Sequence, residues 1–394
     1  MKRFLRTIVV APYRLVLRLW WPLLQRMKHS TIPRRVLICV VNDLMAAHVA
    51  VVVDLFRSDS QIKCYVTSPS GTRTADTSLS AISNRLRVPA VNYALSRFKW
   101  WDLIIFAEHR GVDQFHPATR KLMIQHGYDS GKLFDGEDIR YGRRSMYRAD
   151  NGEPRYDKIF ECSSATAQTA VREDSRLANR IAVVGDLGAD RMLAMTQQRS
   201  ELRGAAGYAE NDFVVMLMGT WKCDSLMESA GQELMGEAVR LRNSFRFIFS
   251  THPLHWRGDY ARQHPWGKFL SDHEQLGVAV LRPDDDWERA AIIADMAIAD
   301  HSSVGVKFAL LNKPLLFLKR REGLVAPGTF GARLYDALPH VCSAAALESA
   351  IENARRSYPF ERLAQIADEI NAYPGKAAQR VREEIYQLLD LQVT

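Results

Sequence analysis

Residues 295–314, DMAIADHSSVGVKFALLNKP, decide the fold. Residues 296–299 form an apolar run short enough for a buried parallel strand. Asp300, His301, Ser302 and Ser303 break the run with residue types that suit turns and helix N-caps. From Val304 the spacing turns helical, with Val304, Phe308 and Leu311 at i, i+4 and i+7 on one face. Asn312, Lys313 and Pro314 stop that helix, and residues 315–318 read as the next strand. Strand, polar turn, helix and strand in this order make one unit of a parallel α/β sheet. Unpaired backbone N–H groups at the helix start, beside two hydroxyls, suit a phosphate. A serine that only caps its helix is the simpler use of Ser302 or Ser303.

Working outward, 394 residues are too many for one ordinary core, and two domains are expected. Hydrophobic content of 47% and charged content of 25% are those of a globular protein. Cys39, Cys64, Cys162, Cys223 and Cys342 are scattered and contain no CxxC pair. That pattern argues against a disulfide framework or a zinc site and for a reducing compartment.

The net charge of +8 sits at one end. Residues 1–35 hold nine Lys and Arg and no acid; taken from the total of 53, they leave 44 bases against 45 acids. The body of the chain is therefore no nucleic-acid binder by charge. Residues 1–30 mix these bases with Leu, Ile, Val and the pair Trp20-Trp21, interrupted too often to span a bilayer. Arg14 and Arg18 fall where a secretory signal needs an apolar centre. The segment reads as amphipathic, lying in the headgroup region of an anionic membrane surface, with Pro12 and Pro22 dividing it.

Between residues 34 and 190, apolar runs at 35–41, 62–66, 102–107, 121–125, 158–162 and 181–184 alternate with helical stretches. This is the pattern of a Rossmann-like domain. The run at 121–125 leads into His126 and Gly127, at a carboxyl strand end where ligand-binding groups collect. His109 and His116 read as surface-loop residues. Residues 190–210, rich in Gln, Arg, Ser and Gly, read as a linker. A second Rossmann-like domain spans 210–342, with strands at 213–217 and 245–249, and helices fill 343–394. The turn after the first of these strands carries Thr220, Trp221 and Lys222, and the second leads into His252-Pro253, where the proline fixes the turn. His255 and His264 are weaker candidates. Asp284, Asp285 and Asp286 invite a metal, but they open a helix, where acids cap and complement the dipole.

Taken in order, these stretches resemble the CDP-glycerol glycerophosphotransferase family, the builders of teichoic-acid-like polymers. ADHSSVGVKFALLNKP is similar to that family's TDYSS…DF…KP, with His301 for the tyrosine and Lys307 for the aspartate. QHGYDSGK keeps the His126, Gly127 and Lys132 of a WHG-T-P-x-K element but not its Trp, Thr and Pro. Gly185–Asp190 keeps part of G-x-P-R-x-D, residues 218–222 part of YAPTWR, and 250–253 the His-Pro of K-x-H-P. Residues 375–380 are similar to the closing dG-x-a-s-x-R.

The resemblance implies two Rossmann-like domains facing a cleft, the glycosyltransferase-B architecture. It implies transfer of glycerol phosphate or a similar phospho-polyol from a CDP-linked donor to a hydroxyl of a lipid-linked or polysaccharide acceptor. His126 would take the acceptor proton; Ser302, Ser303, His252, Lys222 and Thr220 would hold the donor phosphates, with His252 also catalytic in stabilising the charge that leaves with CMP. Gly127, Lys132 and Asp300 would position substrate. No cofactor and no divalent metal are implied, and the location would be cytoplasmic, on the inner face of the cell membrane. A nucleotide-sugar glycosyltransferase or a UDP-GlcNAc 2-epimerase shares the architecture, the latter needing carboxylates in the cleft. A non-catalytic membrane-peripheral binding protein is the third reading.

Removing residues 1–30 is expected to leave a folded protein that no longer sediments with anionic liposomes, while salt weakens binding by the full chain. Undiminished sedimentation of the shortened chain would refute the membrane role.

Overall fold

The computed structural model describes residues 33–41, 43–69, 78–116, 118–124, 129, 131–134, 137–138, 147–149, 151–222 and 224–392. The basic segment 1–30, and with it the membrane expectation, lies outside the described residues, as do His126 and Gly127.

The first domain is built from β1 (Arg34–Cys39), α1 (Asp43–Leu55), β2 (Ile62–Thr67), β3 (Leu103–Phe106), β4 (Arg120–Ile124), β5 (Lys158–Glu161), α2 (Ser164–Glu173) and β6 (Ile181–Val183). Its strands pair in the order β2-β1-β3-β4-β5-β6, every pair parallel. Residues alternate between two buried faces: Val36 and Ile38 of β1 pack in one core, Leu37 and Cys39 in the other. A parallel sheet covered on both faces needs such continuous apolar strands.

α3 (Leu187–Met195) and α4 (Arg199–Ala205) then lead to the second domain. Of the stretch 190–210 that links the domains, residues up to 205 are thus helical. The reason is Arg203, which is buried and donates to the carbonyl oxygens of Ile293, Ala209 and Asp212 and to the carboxylate of Asp295. An arginine reads as polar in sequence, yet its fork satisfies several buried carbonyls at once and fastens α4 to the second domain.

The second domain comprises β7 (Val214–Met218), α5 (Leu226–Arg240), β8 (Arg246–Ser250), β9 (Ala279–Leu281), α6 (Trp287–Ile293), β10 (Met296–Ala299), α7 (Ser303–Ala309), β11 (Leu315–Leu318), α8 (Phe330–Ala337) and β12 (His340–Val341). The parallel order β9-β8-β7-β10-β11-β12 is that of a doubly wound nucleotide-binding sheet. Every residue of β7, β10 and β11 is buried. Val215 and Leu217 face one core, Val214, Met216 and Met218 the other. Asp286 accepts from the N–H groups of Glu288 and Arg289, so the Asp284–286 run caps α6 as read from its position.

Three α-helices follow β12: Leu347–Arg356, then α9 (Phe360–Ile370) and α10 (Ala377–Leu388). α9 packs Leu363, Ile366 and Ile370 into the second domain. α10 crosses back and packs Val381, Ile385 and Tyr386 into the first. A buried charge cluster also joins the domains: Glu288 takes Lys307 Nζ at 2.6 Å and the guanidinium of Arg191, and Lys307 lies 4.0 Å from Asp186. Among the described residues no helix is long and apolar enough to cross a membrane.

Candidate active site

Strand register assembles the site. Ala299 of β10 lies opposite Met218 of β7, Met218 opposite Ser250 of β8, and Ala299 opposite Phe317 of β11. The segments leaving these strands therefore share one edge: Gly219-Thr220, Thr251-His252, Asp300–Ser302 and Lys319-Arg320. The chain turns opposite ways beyond β7 and β10, which makes the gap between them the topological switch point where such sheets take ligands.

Asp300 closes the base of that gap. It is buried, and its Oδ2 accepts from the N–H of Thr220 at 2.7 Å and of Leu226 at 2.8 Å. One carboxylate oxygen thus fixes the turn after β7 and the start of α5 against the turn after β10. Burial raises its carboxyl to about 6, against the two N–H bonds and Lys132, which favour the ionised form. Gly219 suits this close packing, since a Cβ there would stand 3.1 Å from Leu226 Cβ, a tight contact.

Ser302 occupies the N-cap position of α7 without capping it. Its hydroxyl makes no cap hydrogen bond, and Oγ is buried with no hydrogen-bond partner, although it lies near enough to Asp300 to favour the carboxylate. A buried hydroxyl left unpaired costs roughly 1–3 kcal/mol unless something meets it. Ser303, half-buried, opens the helix beside it. His301 is buried, with Nδ1 unpaired, and burial with the nearby cations Lys132 and Arg320 holds its ring neutral, near 3. Lys307 points away into the interdomain charge cluster, and Lys313 donates to the carbonyls of Ala291, Ile292 and Ala294 at the end of α6. Both lysines are architectural.

Thr220 is buried, and Lys222, in a left-handed backbone conformation with φ 72°, donates its N–H to Tyr260 Oη. Trp221 stands between them, its ring 5.7 Å from that of His252 and 5.5 Å from that of Tyr260. His252 Nδ1 accepts from Leu254 N–H at 3.2 Å, which assigns the ring proton to Nε2. Burial, then His255 and Lys132, push its pKa down to about 3. His252 is therefore a neutral donor and not a cation. Glu228 braces this wall, accepting from Tyr260 Oη and Trp266 Nε1. His255, ranked as a weak candidate, proves buried with both ring nitrogens unpaired.

The first domain reaches the site through Lys132. Its Nζ donates to Thr220 Oγ1 at 2.9 Å and to the Trp221 carbonyl at 2.8 Å. Backbone bonds hold it across the cleft: Leu133 N–H to Leu324, Ala326 N–H to Gly131, and Gly331 N–H to Asp129. Gly131 permits this approach, with φ at 71° and Thr329 Oγ1 only 2.2 Å from where a Cβ would be. Burial and the neighbouring Lys222 lower Lys132 to about 8, against the pull of Asp300. The segment that follows His126 and Gly127 is thus docked on the second domain.

Elsewhere on the first domain's carboxyl edge, His109 is not a surface-loop residue. Its Nδ1 lies 2.9 Å from Tyr156 Oη, and its ring meets the edges of Tyr147 and Tyr156. Aromatic neighbours far along the chain draw it inward, a contact that local polarity hides. Glu108 precedes it, its carboxyl raised by burial against Arg110, and Glu161 ends β5 beside Tyr147 Oη. Sequence reasoning also passed over Arg320, which leaves β11 on the same edge as Ser302; the cluster Lys319-Arg320-Arg321 after an apolar strand was the available signal. Among the described residues, no group of three or more His, Cys, Asp or Glu could hold a metal ion.

Residues 178–320 match the family model of CDP-Glycerol:Poly(glycerophosphate) glycerophosphotransferase, which bears out the family resemblance. No curated protein matches the sequence. Among solved structures, the chain is similar to a variant of the wall teichoic acid polymerase TagF soaked with CDPG (13% identity, 97% of this chain and 98% of that one, TM-score 0.59). It is also similar to MnaA of S. aureus with UDP (13%, 91% and 98%, 0.61). A third is UDP-GlcNAc 2-epimerase from Neisseria meningitidis bound to UDP-GlcNAc (14%, 90% and 100%, 0.55). These likenesses establish the two-domain glycosyltransferase-B fold.

Two predictions follow from the geometry. Ser302→Ala removes no cap, so the ligand-free thermal midpoint should hold or rise, while CDP affinity drops by about 1.5–3 kcal/mol. A lowered midpoint with full CDP affinity would make Ser302 structural. For Lys132, the charged form that attracts phosphate prevails below about pH 8. CDP affinity measured by calorimetry should therefore fall as pH rises through about 8, with no such step in Lys132→Gln; an identical profile in both proteins would remove Lys132 from the site.

Proposed function

We propose that the chain is a transferase moving glycerol phosphate, or a similar phospho-polyol, from a CDP-linked donor to a hydroxyl of a lipid-linked or polymer acceptor in cell-surface polymer synthesis. The observation that carries this reading is Ser302, whose hydroxyl is buried beside the Asp300 carboxylate and uninvolved in capping at the switch point of a nucleotide-binding sheet. A donor diphosphate would give that hydroxyl an acceptor. The family match over residues 178–320, which contains this turn, supports a CDP-linked donor.

In this scheme Ser302, Ser303, Thr220, Lys222 and Lys132 hold the diphosphate, and His252 donates from Nε2. Because both His252 and His301 are neutral, the favourable charge comes from the lysines. Asp300 positions Thr220 rather than touching phosphate, since a carboxylate beside a diphosphate repels it. The acceptor oxygen attacks the β-phosphorus as His126 takes its proton, and the P–O bond to CMP breaks with its electron pair leaving on CMP. Gly127 leaves room for the acceptor beside that base. Charge on departing CMP is met by the hydrogen-bond donors of the turn and by Lys132. Residues 1–30 would hold the enzyme against the cytoplasmic face of the membrane, where a lipid-linked acceptor lies.

A second reading has an observation of its own. Glu108 and Glu161 at the carboxyl edge of the first sheet are the kind of carboxylates a 2-epimerase acting on UDP-GlcNAc needs for proton transfer. Solvent deuterium appearing at the sugar C2 of UDP-GlcNAc would support it and count against the transferase.

The test of the main reading is CMP release from CDP-glycerol in the presence of a lipid acceptor, against UDP release from UDP-linked donors. His126→Ala should lower turnover by about 10²–10⁴-fold, the usual range for a general base, with stability kept. Turnover at the parental rate would contradict the mechanism at its centre.

A further inference from the structure

The row of strand ends does not finish at Ser302. β11 runs level with β10, and the chain leaves it as Lys319-Arg320. Lys319 is exposed, whereas Arg320 turns inward. Its guanidinium lies 3.8 Å from the centroid of the Tyr335 ring, and its backbone N–H donates to Tyr335 Oη at 3.2 Å. Packing on an aromatic face orients the guanidinium plane and leaves its in-plane N–H donors for other partners. Nη1 is nevertheless buried with no hydrogen-bond partner. Arg321, next in the chain, pairs with Asp224 at 2.7 Å, so the unpaired state belongs to Arg320.

The surroundings give this cation a direction. The charge of Arg320, with that of Lys132, depresses the neighbouring His301, so the two cations act on one neutral imidazole. Tyr335, Asp336 and Asp300 favour the charged guanidinium against its burial. None of them pairs with Nη1: Asp300 engages the N–H groups of Thr220 and Leu226 through Oδ2, and its buried Oδ1 makes no hydrogen bond to Arg320. Just beyond Arg320, residues 324–326 carry the backbone bonds that dock Gly131 and Leu133 of the first domain. Arg320 thus stands where the two domains meet, with an unused donor in a fork suited to two-point binding of an oxyanion.

We propose that Arg320 is a substrate-binding residue for an anionic group, phosphate or carboxylate, seated in the cleft between Arg320, His301 and Lys132. The inference rests on the donor-site reading, because His301 and Lys132 are shared with it. The group has two sources: the diphosphate of the donor, or an anion carried by the acceptor. The structure therefore predicts a substrate with more negative charge in this cleft than Lys132 and Lys222 would balance.

Calorimetry on the full chain with CDP, inorganic pyrophosphate and glycerol 3-phosphate tests this, with thermal midpoints as the folding control. Arg320→Ala should weaken at least one of the three about tenfold or more at an unchanged midpoint, and Arg320→Lys should recover part of the loss. Arg320→Gln, which keeps the stem over Tyr335, takes the place of alanine if that variant melts early. Weakened CDP and pyrophosphate assign the donor diphosphate; weakened glycerol 3-phosphate alone assigns the acceptor. Parental affinity for all three in the Arg320 variants overturns this proposal and leaves the donor site standing. A parent chain that binds none of the three overturns both.

Discussion

One carboxylate holds the candidate site together. Asp300 Oδ2 accepts two backbone N–H groups, one from the turn after β7 and one from the start of α5. Without that bridge the turn from β7 into α5 would carry two buried N–H groups lacking partners, each a cost of about 1–3 kcal/mol. With it, Thr220 and Ser302 stand on opposite sides of a gap that strand order has already opened. The same bridge aligns Thr220 to receive Lys132 from the other domain, so one buried interaction sets both the local turn and the interdomain contact.

The electrostatics follow from burial more than from composition. Outside the basic N-terminus the chain is close to neutral, and three histidines around the site, His252, His255 and His301, are held uncharged at neutral pH. What remains is a small number of cations in a poorly solvated cleft. A unit charge pair at 4 Å gives ~1 kcal/mol in water and ~4 kcal/mol at the effective dielectric of partly buried sites. Two or three such cations therefore suffice to favour a diphosphate, where a broad basic surface would attract anions without selection. The depressed Lys132 is the counterpart of this: a cation taken from water and partly compensated by neutral acceptors.

Much of this was legible in the sequence. The strand–turn–helix–strand reading of residues 295–314 holds nearly residue for residue, because continuous apolar strands and a polar turn have few other uses. The two sheets and the Asp286 cap were legible for the same reason. What sequence could not give depends on distance along the chain. His109 is drawn into an aromatic cluster by Tyr147 and Tyr156, and Arg203 turns a polar stretch into a fastened helix. Ser302 looks like a cap by position, and only its hydrogen-bond geometry separates the two roles. Arg320 gave a signal too, three bases after a strand, but which of them turns inward is decided by Tyr335 on another element.

The most direct measurement is a crystal structure of the chain with CDP-glycerol or CDP bound. The account places the diphosphate between the ends of β7 and β10, with a phosphate oxygen about 3 Å from Ser302 Oγ, the usual length of such a bond. A diphosphate bound elsewhere in the cleft, with Ser302 still buried and unpaired, would contradict it.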